Sequence, residues 1–176
     1  LNEHLHSFPP RRSSDLARAA GRIAGAFTRG GVSAAASQAR EARVEVEAAA
    51  DGRGVLLALR ARVYSDAGAY QIFPLTQALE PLGIANILPG PYLTPAYEWH
   101  AVAVATNKPP LGAYRGVGMT MGAFAMERTL DLLAARLGLD PAEVRRRNLI
   151  PRERYPFTSA SGFVYDSGDF PAAIAD

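Results

Sequence analysis

The residues best suited to chemistry lie in one stretch, Thr106-Asn107-Lys108-Pro109-Pro110-Leu111-Gly112-Ala113-Tyr114-Arg115-Gly116-Val117-Gly118, just ahead of an amphipathic segment that begins near Met119. Pro109 and Pro110 fix two φ angles, while Gly112, Gly116 and Gly118 admit positive φ or the close approach of another molecule. Backbone N–H groups from Gly116 to Met119 have no intrahelical acceptor and are expected to point out of the helix start, where an anion is the natural guest. Arg115 adds a planar, permanently charged donor that can grip a phosphate or a ring carbonyl at two points. A purely structural alternative stands beside this one: an Arg-Gly turn also serves to cap a helix or to pair with a buried acid.

The elements that must position this loop are readable on both sides. Tyr97 to Thr106 reads as a strand, with Val102 and Val104 on one face, and it delivers the chain to the loop. Met119 to Leu137 carries Met126, Leu130, Leu133 and Leu137 at i, i+4, i+7 and i+11, which predicts a helix with one buried stripe, stopped by Gly138. Asp140-Pro141-Ala142-Glu143 predicts the start of a two-turn helix whose last turn holds Arg145, Arg146 and Arg147. Those arginines read as a solvated helix end or a subunit contact. Upstream, Arg43 to Ala48 alternates as a half-buried strand, Asp51 to Gly54 turns, and Val55 to Tyr64 returns as its hairpin partner. A short helix is expected between Pro74 and Leu82, before a turn at Pro89-Gly90-Pro91. Leu149 to Gly162 reads as a proline- and serine-containing connection, and the stretch from Tyr165 to Pro171 starts one more helix. Strands mixed with helices and a hairpin indicate an α+β architecture with a mixed sheet.

Composition narrows the function classes. The chain has 176 residues, 48% of them hydrophobic, enough for one domain with a real core. No apolar run approaches the roughly 20 residues of a membrane-spanning helix. With zero cysteines the chain can form no disulfide, thiolate metal site or iron–sulfur cluster of its own. A cytoplasmic setting is expected. The net charge of +2 comes without a basic stripe interleaved with aromatics, so nucleic acid is not expected as a partner. His100 has no second histidine or carboxylate at ligand spacing and reads as a packing residue, so no protein-held metal is expected. Asp66 and Glu98 are also given structural roles.

The N-terminus differs from the rest. Residues 1–16 show neither helical nor strand periodicity and are expected to be a disordered tail. The segment from Phe8 to Leu16 also resembles a translated sequencing adapter, to be left out of fold reasoning on that reading. Ala17 to Ser37 is alanine- and glycine-rich with weak helical potential, and residues 17–176 are treated as one partial domain.

Several separated motifs then recur in a familiar order. Arg62-Val63-Tyr64-Ser65-Asp66-Ala67-Gly68-Ala69-Tyr70, the loop from Thr106 to Gly118, Glu127-Arg128, Leu139 to Ile150 and Tyr165-Asp166-Ser167-Gly168-Asp169-Phe170 resemble the large, molybdopterin-binding subunits of the xanthine dehydrogenase, aldehyde oxidase and carbon monoxide dehydrogenase family. The likeness runs from about Arg43 to Asp176, and between Gly21 and Ser37 the chain departs from the family's usual basic strand followed by an Arg- or acid-rich turn. The resemblance implies a partial molybdenum-cofactor-binding domain. It places Arg115 and Gly116 against the molybdenum–pterin cofactor, in its cytosine dinucleotide form, and Val117 and Tyr114 at the substrate. Valine at 117, where purine-oxidising members have phenylalanine, points to an aldehyde, a small heterocycle or another aromatic rather than a purine.

The same resemblance implies an oxidoreductase that hydroxylates a small molecule with water-derived oxygen and passes electrons to an iron–sulfur subunit and an FAD subunit. No catalytic residue is assigned within the chain, because the family's base glutamate is expected beyond Asp176. The chain is accordingly expected to be a fragment, inactive alone. Two readings from other classes remain open at the level of sequence: a phosphate- or nucleotide-binding module without redox chemistry, and an assembly scaffold.

Overall fold

A computed structural model describes residues 41–71 and 77–175. The expectations for residues 1–16 and 17–37 lie outside the described residues. The predicted hairpin is present as β1 (Ala42–Ala50) and β2 (Leu56–Gly68), antiparallel, with Val44 opposite Val63 and Val46 opposite Ala61. All four of these side chains are buried, while Glu45 and Glu47 stand on the other face beside Arg62 and Arg60, as period-two alternation requires. Asp51 closes the turn: its Oδ1 accepts the amides of Arg53 and Val55, both at 2.9 Å. β2 runs past Tyr64 to Gly68 because Ser65 and Ala67 extend the buried alternation.

β3 (Tyr97–Ala105) lies parallel to β2, giving a mixed three-stranded sheet in the order β1-β2-β3. The crossover between them carries α1 (Leu79–Ile87). This helix sits later than the span expected from Pro74, and residues 72–76 are outside the described set. The helix begins with Pro81 inside its first turn, where a missing N–H costs nothing, so that proline marks the start rather than an interruption.

α2 (Met119–Leu137) packs on α1 and β1. Met126 and Leu130 are buried as predicted, but Leu133 is only half-buried and Leu137 is 36% exposed. The buried face instead runs through Met121, Gly122, Ala125, Thr129 and Ala134. The physical reason is proximity. A Cβ at Gly122 would stand 2.5 Å from Ile87 Cγ2 and 2.9 Å from the Ile84 carbonyl, so the two helices approach too closely for a stripe of leucines.

α3 (Pro141–Asn148) starts where Asp140 accepts the Glu143 amide at 2.9 Å, as its capping sequence predicts. It closes with Asn148, a buried side chain that accepts the Leu56 amide at 2.8 Å and donates to the carbonyls of Gly54 and Val144 at 2.7 Å. Of the arginines in its last turn, Arg145 is not solvated. It is 17% exposed, bonds Glu127 at 2.7 Å and Asp131 at 2.9 Å, and donates to the Glu127 carbonyl, locking α3 to α2. Arg147 turns back to Glu143 and to the Arg53 carbonyl and Arg146 reaches Glu143 at 3.4 Å, and both are exposed, as expected of a solvated helix end. The connection after α3 is more ordered than expected, with a 3-10 turn (Arg152–Arg154) and the short hairpin β4 (Phe157–Thr158) and β5 (Val164–Tyr165) ahead of α4 (Phe170–Ala175). The core gathers the inner face of the sheet, α1, α2 and α3 around Val63, Ile84, Leu88, Met126, Leu130 and Val144.

Candidate functional site

Because β2 and β3 are parallel, their carboxyl ends meet at one edge of the sheet, with Gly68 paired to Ala105. Ligands of open sheets with parallel strands bind outside such carboxyl ends. The loop from Thr106 to Gly118 emerges there, and two anchors hold it.

The first anchor is the end of β2. Thr106 N donates to the Gly68 carbonyl at 3.1 Å, Ala69 N to the Lys108 carbonyl at 3.0 Å and Leu111 N to the Ala67 carbonyl at 3.2 Å. Gly68 has φ 70°, and a Cβ there would run into the Pro109 carbonyl and stand 2.6 Å from Pro110 Cα, so only glycine lets the two segments touch. The Asp66 side chain, 7% exposed, lies within this anchor and accepts from Thr106 Oγ1 at 2.7 Å, Gly68 N at 2.8 Å and Lys108 Nζ at 2.8 Å. Lys108 also reaches Glu41 at 2.6 Å. Burial alone would raise the Asp66 carboxyl, but the hydrogen bonds from Lys108, Thr106 and Gly68 together hold it below the ordinary value. The hydrogen bonds of Asp66 and Glu41 raise the Lys108 ammonium correspondingly.

The second anchor is α1. Gly118, the N-cap of α2, has φ 75°, and a Cβ there would stand 2.5 Å from the Glu80 carbonyl and 2.6 Å from the Ile84 amide. Across the same contact, a Cβ on Gly83 would strike the Val117 carbonyl.

Between the anchors, Arg115 takes φ 30° and Gly116 φ 76°, successive left-handed residues that throw the turn outward. Arg115 is exposed, its guanidinium 5.6 Å from the centroid of the Tyr114 ring, and that ring is itself 59% exposed. Gly116 is exposed and Val117 half-buried, so the four residues singled out in sequence do fall on one turn. The amides are less open than expected: Met119 N is spent on the Gly116 carbonyl at 2.6 Å, and Met121 N and Gly122 N bond Gly118 O. No acceptor among the described residues engages the amides of Gly116 and Val117.

Outside this turn, His100 is exposed on β3 opposite Arg62, not packed as expected; it stands on the solvent face with the other charges of the sheet. Glu98 is paired to Arg60 at 2.9 Å. Among the described residues no cluster of three or more metal-ligating side chains occurs, and no helix is long and apolar enough to cross a membrane. Sequence reasoning missed the roles of Asp66, Lys108 and Gly83 in anchoring the loop. The Asp66-x-Gly68 spacing, an Asx-type turn, was the local signal for one of Asp66's bonds.

A profile of the molybdopterin cofactor-binding domain matches residues 16–149. The chain belongs to that family. The nicotine 6-hydroxylase large subunit of Paenarthrobacter nicotinovorans is 39% identical over 141 residues, which make up 80% of this chain and 17% of that subunit. The carbon monoxide dehydrogenase large chain of Hydrogenophaga pseudoflava is 38% identical over 138 residues, 77% of this chain and 17% of that one. Among solved structures, quinoline 2-oxidoreductase from Pseudomonas putida 86 superposes with a TM-score of 0.77 at 42% identity, covering 80% of this chain and 18% of that one. The chain thus spans about a sixth of the length of these relatives.

The cofactor implied by the family carries a pterin and a phosphate, and the donor set suits such a group. Arg115 sits beside an aromatic face, the amides of Gly116 and Val117 belong to the same turn, and the first turn of α2 carries no acidic side chain to compete for that end of the helix dipole.

Proposed function

We propose that this chain contributes to a molybdenum hydroxylase large subunit the loop that grips the cofactor through Arg115 and Gly116 and presents Val117 and Tyr114 to an aldehyde or aromatic heterocycle. The observation that carries the reading is the left-handed turn at Arg115 and Gly116, set between two backbone anchors at the carboxyl ends of parallel strands. When bound, the cofactor in its cytosine dinucleotide form supplies the redox chemistry that places a water-derived oxygen on the substrate carbon. The chain's own residues orient and polarise. Arg115 would donate to an anionic or carbonyl oxygen of the bound group, and the amides of Gly116 and Val117 would add neutral donors from the same turn. Tyr114 offers an apolar wall against which a planar ring stacks, and Val117 leaves more room beside it than an aromatic would.

Electrons leave, on this reading, through an iron–sulfur subunit and an FAD subunit in the cytoplasm. Residues 1–176 alone are proposed to be without activity, and substrate oxidation by the purified chain overturns that statement. The grip itself is tested with inorganic pyrophosphate titrated calorimetrically into the chain and into Arg115→Ala. Loss of one charge-assisted donor pair should weaken binding about 10- to 100-fold. Equal affinity in the two proteins removes Arg115 from the site.

A further inference from the structure

We propose that Asp66 is the positioning residue of the Arg115 loop, holding its root on the end of β2 without touching the ligand. This inference rests on the function proposed above for Arg115, and it concerns a residue 40 positions from Thr106 in sequence.

The argument is geometric. Three donors from two segments converge on one carboxylate: Gly68 N from β2's own end, and Thr106 Oγ1 and Lys108 Nζ from the loop. A carboxylate accepts only, and two oxygens suffice for all three bonds, so its acceptor capacity is well used. The backbone bonds of the same anchor, Thr106 to Gly68, Ala69 to Lys108 and Leu111 to Ala67, flank it. They set the register but leave the segment between Lys108 and Leu111 thinly held, since Pro109 and Pro110 donate nothing there. Asp66 supplies what the prolines withhold. It ties the loop by side-chain bonds on the near side of the prolines, so that residues 112–117 leave the sheet at a fixed angle before Gly118 docks on α1. Lys108 is the matching half: about half-exposed, it is held on Asp66 and Glu41 at once and cannot swing out toward a ligand without breaking two ion pairs. Its charge therefore belongs to the scaffold.

The test reads loop order separately from binding. Amide hydrogen exchange at Ala69 and over residues 106–118 is followed by mass spectrometry in the wild-type chain, in Asp66→Asn and in Val63→Ala, a core change of the same strand that lowers stability without touching the loop. Pyrophosphate affinity is measured in parallel. Asp66→Asn should speed exchange of the bonded Ala69, Thr106 and Leu111 amides about 10-fold beyond Val63→Ala, the effect of one charge-assisted hydrogen bond, and weaken pyrophosphate at least as much. Lys108→Met should follow Asp66→Asn, and Lys108→Arg should stay near wild type; this pair serves should Asp66→Asn fail to fold. Exchange at Ala69, Thr106 and Leu111 no faster than in Val63→Ala overturns the assignment, whatever the binding. Faster exchange in a chain whose wild type does not bind pyrophosphate supports Asp66 as the positioning residue and overturns the ligand reading of Arg115 instead.

Discussion

Gly118 is one of the two most demanding glycines in the site, and replacing it with alanine separates two physical effects that glycines usually confound. Its φ of 75° costs an L-residue about 1–2 kcal/mol. Its absent Cβ would also stand 2.5 Å from the Glu80 carbonyl, 2.6 Å from the Ile84 amide and 3.0 Å from Gly83 C, all main-chain atoms of α1 that cannot swing aside. Overpacking of this kind adds about 1–3 kcal/mol, so Gly118→Ala is expected to cost about 2–5 kcal/mol, a large fraction of the 5–15 kcal/mol typical of a folded domain. Gly138 supplies the control at the other end of α2. Its φ is 67°, nearly the same, yet a Cβ there meets nothing within 4 Å. Gly138→Ala should therefore show the conformational cost alone. Urea unfolding of the three proteins, followed by far-UV circular dichroism at constant slope, gives the difference directly. If the two alanine variants lose the same stability to within about 0.5 kcal/mol, α1 does not clamp the start of α2 and the account of the second anchor is wrong.

Two further outcomes follow from the same geometry. Asn148→Ala removes three hydrogen bonds of 2.7 to 2.8 Å and leaves the Leu56 amide and Gly54 carbonyl unpaired inside the protein, so unfolding free energy should fall by about 3 kcal/mol; a loss under about 1 kcal/mol would show that water replaces the latch. Because the Asp66 carboxyl is held below its ordinary value by Lys108, Thr106 and Gly68, its contribution is complete above the unfolded carboxylate range and disappears as pH falls through the folded value. The stability gap between wild type and Asp66→Asn, read from urea midpoints at pH 7, 5 and 3, should therefore shrink toward pH 3, and a gap constant across that range refutes the charge-based account.

What could be read from sequence was what sequence encodes locally. The hairpin announced itself through the alternation from Arg43 to Ala48 and the Asp51 turn, and α3 through Asp140 and Pro141, because caps and period-two patterns act over a few residues. The loop from Thr106 to Gly118 was visible for the same reason. Its anchors were not. Asp66 and Thr106, Asn148 and Leu56, or Gly83 and Gly118 are joined only by the tertiary fold, and each residue type has an ordinary local explanation. The leucine stripe misled toward the end of α2 because a hydrophobic period reports which face is apolar, whereas the close crossing with α1 selected the small residues beside it. Arg145 misled in the opposite sense: an arginine in a last helical turn ordinarily faces water, but here two carboxylates on α2 stand in reach.

The strain at Arg115 connects these observations. A non-glycine residue at φ 30° persists only where its surroundings over-determine it. The surroundings here are two clamps, the proline-interrupted ladder on β2 with Asp66 at its centre and the glycine contact on α1, separated by residues 112–117. A free loop would relax the arginine into an ordinary basin and leave the unusual angles to its glycine neighbours. The left-handed angle instead falls on the one long, charged side chain of the turn, which is exposed there; on the proposed function this is the conformation in which the guanidinium would meet the ligand. On the proposed function, the spacing between the clamps matters as much as Arg115 itself: a substitution that shifts either anchor by a fraction of an ångström would displace the guanidinium while leaving its chemistry intact.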